Sequence, residues 1–101
     1  MEEPNHQWKN QAEIIKVLLQ DTMFLNDWKQ VSDALDIPAK DLFTVQTKLS
    51  TGNATMYEVI KWMLDVWKGR KGNQAKLPKL IEILENEKLQ NAAGEFYVVF
   101  T

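Results

Sequence analysis

Residues 55–72 read TMYEVIKWMLDVWKGRKG. Thr55 is followed three residues later by Glu58, the spacing at which a hydroxyl and a carboxylate cap each other's free backbone N–H groups at a helix start. Met56, Val59 or Ile60, Met63 or Leu64, and Trp67 then recur every three to four residues, the period of one helix face. Trp62 and Val66 stand four apart on a second face. A helix that is apolar on more than one face belongs near the centre of its domain. Gly69 and Gly72 mark its end.

Shorter helical patterns lie on both sides. Upstream, KLSTGNAT reads as a loop, since Gly52-Asn53 tolerates positive φ. A short helix at about 38–46 precedes it and carries Leu42, Phe43 and Val45. Pro38 suits the first turn of that helix and disfavours a helical Ile37 before it. Another helix spans 27–35, with Trp28, Val31 and Leu35 on one face and Asn26 or Asp27 as its cap. QDTMFLND reads as a joint with a short apolar plug. The first helix covers 7–20 through Trp8, Ala12, Ile15 and Leu19, with Ile14 and Leu18 widening the face. Downstream, the fifth helix starts near Pro78 and carries Leu77, Leu80, Ile81 and Leu84. The sixth follows ENEK with Leu89, Ala92, Ala93 and Phe96. Gly94 admits two readings: a C-cap followed by an apolar exit segment EFYVVF, or an interior glycine in a longer last helix. Six short helices with tight joints and no strand describe an all-α antiparallel bundle.

The bulk properties set bounds on function. A chain of 101 residues with 45% apolar side chains is the size of one domain with a small core. Ten aromatics, four of them tryptophan, supply much of its burial. Trp28 and Trp67 fall inside apolar stripes and read as core. Trp62 lies off the main stripe, where an aromatic stacking platform is the competing reading. There is no cysteine, which removes disulfides, thiolate zinc sites and thiol nucleophiles and fits a reducing, cytoplasmic setting. No apolar run approaches the ~18 residues of a membrane span. The polar start MEEPNHQWKN is unlike a signal peptide.

No catalytic constellation is visible. The one histidine, His6, has no orienting partner or nucleophile in view, so it reads as a surface residue. The aspartates at 27, 33, 36 and 41 lack the spacing of a calcium loop. Gly69 and Gly72 have neither the preceding strand nor the following Lys-Ser/Thr of a phosphate loop. The sequence therefore implies no enzyme, cofactor or metal.

The charges are segregated. Residues 21–41 hold five acids against two bases, 61–79 hold six bases against one acid, and 82–87 hold three acids and no base. The basic segment admits three readings: a solvated loop, a patch for phosphate or nucleic acid, or a protein docking surface. The net charge of −2 argues against a general nucleic-acid binder.

The order of these features resembles the death domain, a six-helix antiparallel Greek-key bundle. The resemblance rests on DWKQVSDAL, DIPAKDLFTV, YEVIKWMLDVW with its Leu64–Trp67 pair, NQAKLPKLIEIL and KLQNAAGEF, over residues 8–97 of a single domain at 1–101. It is greatest to adaptor-type domains such as those of FADD and IMD, with the death domain of a receptor tail as the alternative. Two positions depart from the family pattern. Asp36 stands where a glycine is frequent, and Lys76-Leu77 follow Ala75 where a hydroxyl residue is frequent.

The resemblance implies a core built on Trp28, Leu64, Trp67, Leu80 and Leu84. It also implies a non-catalytic module that binds the death domains of receptors, adaptors or kinases, or copies of itself, in apoptotic or innate-immune signalling. Family members dock through asymmetric patch pairs. Carried onto this chain, Lys68, Arg70 and Lys71 fall on one half of a pair, and Glu85 and Glu87 near its other half. Asp33, Asp36, Lys40 and Asp41 fall around helices two and three. Opposite signs across a pair steer the encounter. A heterologous contact of this kind propagates into a ring or helix.

Overall fold

A computed structural model describes residues 11–100, with side chains described through Phe96. Trp8 and His6 lie outside the described residues, as does the start expected for the first helix. The described chain forms six α-helices: α1 Gln11–Leu19, α2 Thr22–Ala34, α3 Ala39–Ser50, α4 Met56–Lys71, α5 Leu77–Asn86 and α6 Gln90–Phe100. A single 3₁₀ turn, Gly72–Gln74, follows α4. α1 packs on α2, α4 and α6; α2 also meets α3 and α5; α5 and α6 form a close pair.

α4 starts as its sequence dictates. The Glu58 amide donates to the Thr55 hydroxyl at 3.2 Å, and the Thr55 amide donates to the Glu58 carboxylate at 2.8 Å. Val59, Ile60, Met63, Leu64 and Trp67 are buried along it. Trp28, Leu80 and Leu84 join them in one core, so the five expected core residues are all inside. Trp62 is half-buried. α4 runs through Gly69 and stops at Gly72, whose φ of 57° only glycine adopts cheaply.

Three boundaries differ from the sequence expectation. α2 begins at Thr22 and not at 27, because the Asp21 carboxylate accepts from the Phe24 amide at 2.8 Å and caps the helix there. The expected apolar plug is its first turn, and Phe24 is buried one turn before Trp28. α3 continues to Ser50. Leu49 extends the Leu42–Val45 face onto the core, hydroxyls of Thr44, Thr47 and Ser50 donate to carbonyls four residues back, and only 51–55 remain as loop. At Gly94 the longer helix is the one formed: α6 runs through it to Phe100.

Three helices end in the same way. After α3, α2 and α5 a residue with positive φ turns the chain: Gly52 at 78°, Asp36 at 63° and Lys88 at 65°. In each case the next amide reaches back to close the turn: Asn53 to the Lys48 carbonyl, Ile37 to Ser32 and Leu89 to Leu84, at 2.8–3.0 Å. The turn residue's own amide also bonds back, to Leu49, Asp33 and Glu85 respectively. This is the Schellman closure, which satisfies the last carbonyls of a helix. Ile37 and Leu89, just past two of these turns, are buried and anchor the chain as it leaves.

Candidate docking surface

The basic residues of the last two turns of α4 do not share a partner. Lys68 faces α1, where its ammonium donates to the Gln11 side-chain carbonyl and lies 3.7 Å from Asp65. Asp65 also holds Lys61 at 3.1 Å. Lys71, one turn further on, stands instead 2.8 Å from the Asp36 carboxylate on the α2–α3 turn. Arg70 is exposed, and its guanidinium makes no ion pair or hydrogen bond among the described residues.

The resemblance places Lys71 and Asp36 on different docking patches; the fold brings them together. The departure at Asp36 acquires a physical account here. The position needs positive φ, which aspartate tolerates better than most side chains. Its carboxylate then ties the turn to α4. Asp36 is held below the ordinary carboxyl value, chiefly by the hydrogen bond from Lys71, then by the charges of Lys71 and Arg70.

The expected acids lie at two other places. Glu85 is exposed in the last turn of α5, and Glu87 is the half-buried residue that ends it. Asp33, on α2, and Lys40 and Asp41, in the first turn of α3, are exposed. None of these five makes a side-chain ion pair among the described residues. Their charge faces solvent or a partner.

Two concave features border this surface. An open cleft of about 340 Å³ has Asp36, Lys71, Gln74 and Lys79 around it and Trp67 and Ile83 beneath. A groove of about 240 Å³ between α3 and α4 is lined by Val45, Ala54, Val59 and Trp62, with Lys48 and Glu58 at its edges. Half-buried Trp62 thus forms one wall of an apolar groove. Phe43 is 70% exposed on α3, the most exposed of the large apolar side chains described. Sequence reasoning placed Phe43 inside a helix pattern and had no signal for its exposure. The cleft was equally hidden, since its walls come from three helices and two turns.

No cluster of potential metal ligands occurs among the described residues. No helix among them is long and apolar enough to cross a membrane.

The death-domain family model matches residues 11–97, all six helices in order. The chain belongs to the death-domain family. Comparisons with curated proteins and with solved structures find no match. A death domain is a protein-interaction module, and the six-helix bundle seen here is its fold. The surface of this death domain carries Asp33, Lys40, Asp41, Arg70 and Glu85 as exposed charges with no ion pair among the described residues.

Proposed function

We propose that this death domain is a non-catalytic adaptor-type module that binds other death domains and nucleates a cytoplasmic signalling oligomer in apoptosis or innate immunity. The observation that carries this reading is the charge layout: exposed Arg70 at the end of α4, opposed in sign by exposed Glu85 and half-buried Glu87 at the α5–α6 corner. One copy's basic corner meets the acidic corner of the next. Asp33, Lys40 and Asp41 around α2 and α3 serve a second contact. Lys68 and Lys71 contribute through the outer parts of partly exposed side chains, at 29% and 37%. Isolated exposed pairs contribute only about 0–1 kcal/mol each. Stable assembly therefore needs several pairs together with apolar contact, for which Phe43 is available.

The test is charge reversal. Arg70→Glu should abolish or strongly weaken oligomers in multi-angle light scattering and capture of death-domain partners, with the circular dichroism spectrum unchanged. Combining Arg70→Glu with Glu85→Arg in a second copy should restore heterotypic association. Unaltered assembly of Arg70→Glu would remove this corner from the interface.

A further inference from the structure

The cleft beside the end of α4 contains a carboxylate that belongs to the chain itself. Asp36 projects from the α2–α3 turn and places its oxygen 2.8 Å from the Lys71 ammonium. A carboxylate therefore already stands at that ammonium on the rim of the cleft. Asp36 is held weakly enough to be exchanged: its side chain is 59% exposed, and Lys71 is its sole ion-pair partner among the described residues. Exposed pairs of this kind are screened by water and salt.

The surroundings offer more than Asp36 uses. Gln74 and Lys79 line the same cleft and place further donor groups there. Arg70 is near enough for its charge to act on Asp36. Lys79 is partly engaged by Glu82 at 3.4 Å. Three cations (Arg70, Lys71 and Lys79) therefore stand against two carboxylates, which leaves a cationic surplus. Ile83 and the buried Trp67 give the cleft an apolar base, and the space is about 340 Å³. A cationic rim over an apolar base complements an acidic side chain with an apolar neighbour.

We propose that this cleft binds the carboxylate of an acidic peptide segment of a partner protein, and that Asp36 is the internal competitor which the segment displaces from Lys71. The proposal deepens the docking role proposed for the basic corner, and rests on it for the biological partner. It adds a defined receptor site and two residues, Gln74 and Lys79, that the charge layout alone did not single out.

The probe is a short fluorescein-labelled peptide of alternating glutamate and leucine, titrated with the intact chain and read by fluorescence anisotropy. Asp36→Gly keeps the positive-φ turn and removes the competitor; it should tighten binding roughly two- to fivefold, the scale of one exposed ion pair. Asp36→Asn should do the same, which guards against a folding effect of the glycine. Lys71→Ala combined with Lys79→Ala should weaken binding by about tenfold or more, and added salt should weaken it for every form. Unchanged affinity in both Asp36 variants would overturn the competitor, and unchanged affinity in the double lysine variant would overturn the site. Displacement by inorganic phosphate, more effective than by acetate at matched ionic strength, would overturn the carboxylate assignment. Light scattering of the same variants separates the two proposals. Peptide binding that responds to Asp36 without any oligomer would sink the assembly reading alone. Oligomers that respond to Arg70→Glu without peptide binding would sink the cleft alone.

Discussion

Lys71 Nζ stands 2.8 Å from a carboxylate oxygen of Asp36, so the last turn of α4 meets the turn that closes α2 through an exposed ion pair. The two residues serve different ends. Asp36 carries a backbone conformation that glycine would adopt more cheaply, and Lys71 belongs to the basic corner. Their pairing makes a local turn and a surface charge interdependent.

This pairing predicts a pH signature. The carboxyl of Asp36 is depressed from its ordinary 3.8 by the Lys71 hydrogen bond and by nearby positive charge. A depressed acid is more protonated in the unfolded chain than in the folded one as pH falls. Its contribution is therefore complete above 3.8 and is lost as pH drops through the lower, folded value. Melting temperatures of the native chain and Asp36→Asn at low salt should differ by a constant amount at neutral and mildly acidic pH. The charge-dependent part of that difference should vanish in strong acid. A difference independent of pH throughout would mean that the pair contributes nothing measurable.

Lys88 occupies the matching turn at the end of α5, at φ 65°. A left-handed L-residue costs about 1–2 kcal/mol, and glycine's extra unfolded freedom returns about 0.5–1 of it. Lys88→Gly should therefore stabilise the domain by roughly 0.5–1 kcal/mol, or a few degrees in Tm for a chain of this size. Chemical denaturation with an unchanged m-value is the appropriate check, and a lower midpoint would refute the strain argument.

The tryptophans of α4 separate by depth. Trp67 is 1% exposed, and Trp67→Ala should cost about 3–5 kcal/mol. Trp62→Ala, at the half-buried groove wall, should cost clearly less. Equal losses in urea denaturation would contradict the different packing of the two rings.

Thr55→Ala removes one half of the cap that starts α4. The expected cost is about 1 kcal/mol, the usual value for a lost N-cap hydroxyl, with the helical content of the folded state retained. Thr55→Ser should recover most of the loss in equilibrium unfolding.

Phe43→Ser tests whether the exposed ring serves association. An exposed substitution normally changes stability by less than about 0.5 kcal/mol. The expected result is unchanged melting and weaker self-association in sedimentation velocity. Unaltered association would remove Phe43 from the contact.

The core was legible because α4 and α5 repeat apolar residues at helical spacing and carry plain start signals in Thr55 and Pro78. The start of α2 was not, because Met23-Phe24-Leu25 form a run with no period of their own. Continuing the Trp28, Val31, Leu35 face back by four residues to Phe24, with Asp21 as cap, would have found it. α3 ran longer than expected because Leu49 continues the Leu42–Val45 face at helical spacing and packs on the core with them. The Schellman turn at Gly52 announced itself; those at Asp36 and Lys88 were disguised by side chains that seldom take positive φ. Charge segregation could be read along the chain. Which charges neutralise each other could not, because the Lys71–Asp36 pair forms only after α2 and α4 pack.

α3 has no fully buried side chain; Leu42, Val45 and Leu49 only lean on the core. Substitutions along its outer face thus meet few packing constraints, so mutation can rewrite that face while the other five helices keep the fold. The outer face of α3 is where a change of surface chemistry disturbs the hydrophobic interior least.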